Sequence, residues 1–280
     1  MSIVRSDQDL PHASTRVDSW RDAWRRTGRM VVILDFDGTL APIVDRPEQA
    51  DIPPGTRTVL DRILNASGVS VAIVSGRGMA DARSVARLDG IVYAGNHGME
   101  IGGPGIEKTH EKAAAARPAL ASVVESLEKK LANVEGAWVE DKGLTLSIHY
   151  RQVDRSQIDE VRRAVAESVA TEVDLRITEG KEVVEVRPAV DWHKGRAVDF
   201  LLAHISPPAG TPAIYIGDDT TDEDAFAAIA EWPGGRGEGV LVGDPASAST
   251  SAKSFVRDPA EVAALLRSLA KEEPEQPVSS

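Results

Sequence analysis

An apolar run that ends in two carboxylates constrains the fold of this chain more than any other feature. Residues 31–34 are Val-Val-Ile-Leu, and Asp35, Phe36, Asp37 and Gly38 follow them. Four consecutive apolar residues predict a strand that is buried on both faces, as in a parallel sheet. Their alternation puts the side chains of Asp35 and Asp37 on one side of the chain. An open α/β sheet binds its ligand at this end of a strand.

Two carboxylates held this close together repel each other. Both stay ionised only if a cation lies against them, and otherwise one of them takes up a proton. Either state is useful in phosphoryl transfer. The alternative interpretation is an Asp-Gly turn that carries no chemistry, because this dipeptide is a common turn signal.

Three later segments also place polar residues beside predicted secondary structure. Ser75 and Arg77 follow a second apolar run, where a hydroxyl and a cation are suited to holding a phosphate oxygen and its charge. Lys194 precedes a helix predicted over residues 195–202, near the positive end of its dipole. Asp218 follows a third apolar run and begins a series of acids. Each signal is weak alone, but the four in this order are specific.

In this order, the segments resemble the four motifs of haloacid dehalogenase-superfamily phosphatases. Further stretches are similar to the trehalose-6-phosphate phosphatase family, and the likeness extends over about residues 30–269. The matching segments are Asp35-Phe36-Asp37-Gly38-Thr39, Leu40-Ala41-Pro42-Ile43, Ser75, Ala94-Gly95-Asn96-His97-Gly98, Leu146-Ser147-Ile148-His149-Tyr150-Arg151, Gly180-Lys181, Glu185-Val186-Arg187-Pro188, Lys194 and Gly217-Asp218-Asp219-Thr220-Thr221-Asp222-Glu223.

The resemblance implies an aspartyl-phosphate mechanism with a magnesium cofactor. Asp35 would attack phosphorus, while Asp37 would protonate the leaving sugar oxygen and then activate water. Mg²⁺ would be held by the Asp35 side chain, the Asp37 backbone carbonyl and Asp218, a set of hard oxygen ligands. The predicted catalytic residues are Asp35, Asp37, Ser75, Arg77 and Lys194.

The roles of the next two acids stay open at this point. One of Asp219 and Asp222 would orient Lys194 or a metal-bound water. The competing interpretation is that both cap the helix predicted after them, as acids at such positions commonly do.

The order of elements predicts an α/β fold, with a Rossmann-like parallel sheet core and an inserted α+β cap domain. The alternation of strands and helices up to Gly98 indicates the parallel core. A helix, hairpin, helix, hairpin layout follows, with helices at about residues 111–133 and 155–170 and turns at residues 141–143 and 178–181. We assign residues 1–107 and 191–280 to the catalytic core and residues 108–190 to the cap.

Substrate selectivity is expected to reside in the cap. Each predicted hairpin carries one acid and one base, and charged side chains bind sugar hydroxyls through charge-assisted hydrogen bonds. The pattern alone favours solvated hairpin tips, and it is the family resemblance that favours sugar binding. The residues predicted to bind substrate are Asn96, His97, Glu140, Lys142, Lys181 and Glu185.

Composition is that of a protein without membrane or nucleic-acid partners. The net charge of -12 opposes binding to a phosphate backbone, and we find no apolar run near the roughly twenty residues of a membrane span. The chain has 280 residues and no cysteine, which fits a reducing compartment. We therefore expect a cytoplasmic monomer that acts on a small molecule.

Four functions compete on the sequence. The leading one is hydrolysis of trehalose 6-phosphate to trehalose and phosphate, the last step of trehalose biosynthesis. The second is hydrolysis of another sugar phosphate, such as sucrose 6-phosphate or a glucosylglycerate phosphate, with the same core and a different cap preference. A regulatory sugar-phosphate sensor without turnover is disfavoured by the complete set of motif residues. A phosphomutase is separated from these by assay for free phosphate.

Overall fold

The computed structural model describes residues 10–44, 46–180, 182–246 and 249–270. Its strands are β1 (Met30–Leu34), β2 (Val69–Val74), β3 (Val92–Gly95), β4 (Glu100–Gly103), β5 (Ile106–Thr109), β6 (Trp138–Asp141), β7 (Leu146–His149), β8 (Leu175–Gly180), β9 (Val183–Pro188), β10 (Ala213–Gly217), β11 (Gly237–Val242) and β12 (Ser254–Val256). Its helices are α1 (Val17–Thr27), α2 (Pro54–Asn65), α3 (Met79–Ala86), α4 (Glu111–Ala115), α5 (Arg117–Leu131), α6 (Ile158–Val169), α7 (Lys194–Ile205), α8 (Glu223–Glu231) and α9 (Pro259–Leu269).

The larger sheet has eight strands in the order β12-β11-β10-β1-β2-β3-β4-β5. Strands β12 to β3 are parallel, and β4 and β5 pair antiparallel at one edge. From β1 the chain moves to β2 and β3 on one side, and it later returns to β10 on the other. The strand order therefore reverses beside β1, which is where open α/β sheets bind their ligands.

Both faces of strand β1 are buried, as its four-residue apolar run predicted. Val32 and Leu34 belong to one hydrophobic core, which α1, α2, α3 and α9 cover. Val31 and Ile33 belong to a second core on the opposite face, under α7 and α8. The alternation of the strand determines which residues face which layer of helices. Asp35, which follows Leu34, lies at the carboxyl end of the strand.

A second, four-stranded antiparallel sheet has the order β6-β7-β9-β8. Its helices α5 and α6 pack against it around a separate core, which contains Leu127, Ile148, Val165 and Val186. We call β6 to β9 with α5 and α6 the inserted unit. The parallel sheet with flanking helices and this separate antiparallel sheet confirm the predicted fold class.

Two local expectations from the sequence are wrong, and one hairpin was missed. The helix expected over residues 111–133 is divided into α4 and α5, because Pro118 in the first turn of α5 has no N–H and its ring clashes with the preceding turn. Thr178 does not lie in a turn, since β8 continues to Gly180, which pairs with Val183. The hairpin of β4 and β5 was not predicted.

That hairpin has a short Pro104-Gly105 loop, and Gly105 adopts a φ of 72°. Strand β5 extends across the predicted core and cap boundary at residues 107 and 108.

Within the described part of the chain, no helix is both long and apolar enough to span a bilayer.

Candidate active site

Asp35 and Asp218 lie beside each other because they follow neighbouring parallel strands. Asp35 is buried, and its backbone N–H donates to the carbonyl of Ile216 in β10 at 2.9 Å. The turn after Asp35 brings Gly38 against Asp218, where a Cβ on Gly38 would lie 2.1 Å from the Asp218 Oδ2. Only glycine fits this close approach, and its φ of 75° also favours glycine. Thr39 completes the contact by donating its hydroxyl to Asp218 at 3.3 Å.

Lys194 joins this pair to a third carboxylate. Its Nζ lies 3.1 Å from Asp35 Oδ2 and donates to Asp222 Oδ1 at 2.7 Å. Tyr215 also donates its hydroxyl to Asp222 Oδ1, at 2.5 Å, and the backbone N–H of Asp219 donates to Asp222 Oδ2. Asp222 thus contacts Lys194 and, with Asp219, forms a capping box on the single 3₁₀ turn at residues 220–222, whereas α8 itself begins without a side-chain cap.

Two carboxylates of this site, Asp35 and Asp218, have raised pKa values. Oxygens of Asp35, Asp218 and Asp222 lie within 4.8 Å of one another. Burial raises the pKa of Asp35 well above its usual value, and Asp222 and Asp218 add to this against the opposing charge of Lys194. Burial and the Asp222 charge raise the pKa of Asp218 to about 7. The cluster is therefore short of positive charge, and its hard oxygen ligands suit a divalent cation such as Mg²⁺.

Asp218→Asn is expected to raise the free energy of unfolding of the metal-free protein by about 2 to 4 kcal/mol at pH 8. Because the folded-state pKa of Asp218 lies above its unfolded value, the stability from this group is fully present below about pH 4 and lost as pH rises through 7. The gain from the substitution should therefore shrink between pH 8 and pH 5. Calorimetry with a chelator at both pH values measures it.

The matched control is Asp61→Asn, which removes an exposed carboxylate on α2 and should change the unfolding free energy little at either pH. A gain for Asp218→Asn that is the same at pH 5 and pH 8 would contradict an electrostatic origin.

Asp37 does not face this cluster with its side chain. Arg77 binds the Asp37 carboxylate in a bidentate contact, in which Nε donates to Oδ2 at 2.7 Å and Nη2 donates to Oδ1 at 2.8 Å. Nη1 of Arg77 donates to Asp81 at 2.6 Å and Nη2 to the carbonyl of Pro47 at 2.9 Å. The sequence predicted a phosphate contact for Arg77, whereas in this structure its guanidinium contacts carboxylates and a carbonyl.

The loop after β2 is tied to the loop after β3. The buried Ser75 accepts the backbone N–H of Arg77 on its Oγ at 3.2 Å. The backbone N–H of Asn96 donates to the carbonyl of Arg77 at 2.6 Å, and that of His97 to the carbonyl of Ser75 at 2.8 Å. Asn96 and His97 both have left-handed backbones, with φ of 49° and 57°. Residues with such φ values are uncommon outside glycine and cluster at functional sites.

Residues of the inserted unit meet His97 in a charged group. Glu185 Oε2 lies 3.6 Å from His97 Nε2, and Lys142 Nζ lies 3.8 Å from Glu185 and 3.9 Å from Glu140. Burial raises the pKa of Glu185, but His97, Lys142 and Arg187 outweigh it and the net pKa is lowered. Lys181, the remaining residue predicted to bind sugar, lies outside the described residues.

Electrostatic effects connect this group to the carboxylate cluster. Burial lowers the pKa of His97, and the charge of Lys194 contributes in the same direction. Burial raises the pKa of Glu140, but the hydrogen bond with His149 and the charge of Lys142 outweigh it, and the charge of Arg77 adds to this lowering. The structure thus brings the predicted core residues close to Glu140, Lys142 and Glu185.

Several partners of the site were missed from the sequence. Tyr215 and Thr39 lie within segments already singled out, and the only polar side chain in the Ala213–Gly217 strand would have pointed to Tyr215. Arg187 lies two residues after Glu185, on the same face of β9. Thr145 follows the predicted turn at residues 141–143 and carried no recognisable signal.

Solved structures share this fold. A haloacid dehalogenase-like hydrolase from Bacteroides thetaiotaomicron superposes with a TM-score of 0.58 at 16% identity, covering 85% of this chain and 98% of that chain. At that identity the likeness concerns the fold alone. The chain therefore has the haloacid dehalogenase-like fold, with carboxylates at the ends of its parallel strands β1 and β10.

Sequence comparison identifies the family within this class. Residues 33–260 match the trehalose-phosphatase family, and the chain belongs to it. A trehalose-phosphate phosphatase from Mycobacterium marinum is 38% identical over 247 residues, which are 87% of this chain and 62% of that protein. Trehalose-phosphate phosphatase B from Arabidopsis thaliana is 36% identical over 252 residues, which are 86% of this chain and 66% of that protein.

A solved structure agrees with this assignment. The C-terminal domain of a C. albicans trehalose-6-phosphate phosphatase superposes with a TM-score of 0.76 at 26% identity, covering 95% of this chain and 99% of that chain. The chain therefore spans nearly all of that domain but under two thirds of the length of the Mycobacterium marinum protein.

Proposed function

We propose that this protein is a phosphatase that hydrolyses trehalose 6-phosphate to trehalose and phosphate, in the last step of trehalose biosynthesis. The observation that carries the proposal is the buried Asp35 at the end of β1, held by Lys194. Charged side chains of the inserted unit meet the core nearby, at His97. The names of the related proteins support the choice of substrate.

Asp35 is the proposed nucleophile. A carboxylate oxygen attacks phosphorus, the bond from phosphorus to the sugar oxygen breaks, and an aspartyl-phosphate forms. Lys194 supports the attack by holding Asp35 in place and by balancing the charge of the phosphoryl oxygens. Ser75, at the end of the neighbouring strand, is proposed to donate its hydroxyl to one of those oxygens.

Asp37 is the proposed acid and base. Both of its oxygens accept hydrogen bonds from Arg77 in this structure, so Asp37 must turn away from Arg77 to deliver a proton to the leaving sugar oxygen. In the second step it takes a proton from the water that hydrolyses the aspartyl-phosphate. The Arg77 donors that this rotation frees are then available to the phosphoryl group.

Mg²⁺ is the proposed cofactor, held by the side chains of Asp35 and Asp218 and the backbone carbonyl of Asp37. The raised pKa values of Asp35 and Asp218 support a cation at this cluster. The ion supplies positive charge where phosphoryl oxygens meet carboxylates. Asp222 is an unsuitable ligand, since Lys194, Tyr215 and the Asp219 N–H already engage its oxygens.

The inserted unit is the proposed cap, within the domain limits predicted from the sequence, namely 108–190 for the cap and 1–107 with 191–280 for the core. Glu140, Lys142 and Glu185 are proposed to bind the sugar hydroxyls together with His97 and Lys181. The absence of cysteine supports a cytoplasmic location. We propose a monomer, because one chain supplies every residue named for the reaction.

A panel of esters tests the substrate. Phosphate release by the purified protein is measured with trehalose 6-phosphate, sucrose 6-phosphate, glucose 6-phosphate and p-nitrophenyl phosphate. We expect the highest catalytic efficiency with trehalose 6-phosphate. A clear preference for another sugar phosphate would refute the proposed substrate, and conversion to an isomeric phosphate without free phosphate would indicate a mutase.

Glu185→Gln is expected to lower the catalytic efficiency on trehalose 6-phosphate by about 10- to 100-fold, the loss of one or two charge-assisted hydrogen bonds. Binding energy from the sugar no longer helps to close the cap over Asp35. The low rate on p-nitrophenyl phosphate should barely change. Glu179→Gln is the matched control, because Glu179 is exposed on the same hairpin and pairs with Arg162. Equal losses on both esters would exclude a role in specificity.

A further inference from the structure

Asn96 lies at the junction of the core and the inserted unit, and its side chain is saturated with protein contacts. It is fully buried, and its Oδ1 accepts the hydroxyl of Thr145 at 2.6 Å. Its Nδ2 donates to Glu100 Oε1 at 2.7 Å and to the carbonyl of Lys142 at 3.0 Å. An amide has two N–H donors, so none is left for a substrate. The acceptors on Glu100 and Lys142 also fix the orientation of the amide.

The contacts of Asn96 clamp the turn that carries Lys142. Lys142 donates its backbone N–H to the carbonyl of Thr145 at 3.0 Å, which closes the turn between β6 and β7. Asn96 then binds the Lys142 carbonyl and the Thr145 hydroxyl, one at each end of this turn. Thr145 is itself buried, so its hydroxyl has no solvent alternative.

The same network reaches the loop that follows β2. Glu100 Oε1, which Asn96 contacts, also accepts the backbone N–H of Met79 at the start of α3. The backbone N–H of Asn96 donates to the carbonyl of Arg77. One buried side chain therefore joins the hairpin of the inserted unit to the loop of Ser75 and Arg77.

We infer that Asn96 and Thr145 are positioning residues that hold Lys142 beside Glu140 and Glu185, where its side chain can bind the sugar. This rests on the proposed function, in which Lys142 binds a sugar hydroxyl while Ser75 and Arg77 serve the phosphoryl group. Asn96 therefore positions Lys142 and does not contact the substrate itself, whereas the sequence predicted a direct contact of Asn96 with the sugar. These contacts also hold the backbone of Asn96 in its left-handed conformation.

Thr145→Val removes the hydroxyl and keeps the shape of the side chain, which leaves Asn96 Oδ1 buried without its donor. We expect the catalytic efficiency on trehalose 6-phosphate to fall by about 10- to 100-fold. The efficiency on p-nitrophenyl phosphate, which has no sugar for Lys142 to bind, should stay within about twofold. Thr145→Ser retains the hydroxyl and should restore most of the loss.

Thr211→Val is the matched control. Thr211 is fully buried just before β10, at the amino-terminal end of this strand, whereas the site lies at the carboxyl ends of the strands. Its hydroxyl has no partner among the described residues. The substitution should leave both esters unaffected. Wild-type efficiency of Thr145→Val on trehalose 6-phosphate would overturn the inference, and so would equal losses on both esters.

Hydrogen exchange separates this inference from the proposed function, because it needs no substrate. Backbone amides in the turn at residues 142–145 should exchange at least about tenfold faster in Thr145→Val than in the wild type, and at the wild-type rate in Thr145→Ser. Unchanged exchange in Thr145→Val would overturn the clamp. If the wild type instead prefers another sugar ester, the proposed substrate fails, while the exchange result still decides whether the clamp exists.

Discussion

Asp35→Asn is expected to lower phosphate release from trehalose 6-phosphate by about 10⁴-fold or more, to the limit of detection. An amide has no anionic oxygen to attack phosphorus, and loss of a nucleophile removes the covalent path altogether. The fold should survive, because Asp35 is a buried carboxylate whose pKa is raised by burial and by two neighbouring acids. Replacing it with a neutral residue relieves that repulsion, and Lys194 keeps its contact with Asp222.

Two measurements check this expectation. Phosphate release is followed for Asp35→Asn, for the wild type and for Asp61→Asn, the exposed control on α2, with circular dichroism and thermal melting of each. Acid quenching of the wild type during turnover of radiolabelled substrate should trap phosphate on the protein, and the label should be absent from Asp35→Asn. Turnover by the variant within tenfold of the wild type would contradict nucleophilic attack by Asp35.

The carboxylates at the strand ends are predictable from sequence because their placement follows from local rules. An apolar run of residues 31–34 specifies a doubly buried strand, and parallel pairing brings the carboxyl ends of β1 and β10 to the same edge. Asp35 and Asp218 then meet whatever the exact lengths of the helices between them. That β10 is the neighbour of β1, and the register of the two strands, became evident only from the structure.

Pairings between side chains from distant segments were not predictable in the same way. Arg77 engages Asp37, and Tyr215 engages Asp222, but nothing in the spacing of these residues indicates which partner each selects. Such choices depend on three-dimensional packing, in which a buried donor must find an acceptor. Asp222 contacts Lys194 and also caps the 3₁₀ turn at residues 220–222, so the two roles that were alternatives from the sequence do not exclude each other.

The edge of the large sheet shows a second limit of pattern reasoning. Strand β4 contains two glycines and β5 is largely exposed, so neither presents the continuous apolar run of a central strand. Edge strands with one solvated side carry a weaker signal. Asn96 was noticed because of the family resemblance, yet its saturated amide became evident only from its contacts with Glu100, Lys142 and Thr145.

Removing divalent metal is expected to reduce phosphate release by about 10³-fold or more, since a cation at a phosphoryl site contributes several kcal/mol. Asp35, Asp218 and Asp222 lie close together with only partial compensation from Lys194. Without a cation, the repulsion of this cluster opposes the approach of an anionic ester. Mg²⁺ should restore the rate, whereas the larger Ca²⁺, which takes more ligands at longer distances, should restore little.

The assay dialyses the protein against a chelator, then titrates each metal while phosphate release and thermal melting are followed. Mg²⁺ at about 100 times its dissociation constant should add about 2.7 kcal/mol to the free energy of unfolding of the wild type. Asp218→Asn should show no such increase and no restored turnover, although its metal-free form is the more stable one at pH 8. Both changes have one cause. The negative charges of the cluster repel one another in the metal-free protein, and the same charges attract the cation. Full turnover after exhaustive chelation would exclude a metal from the reaction.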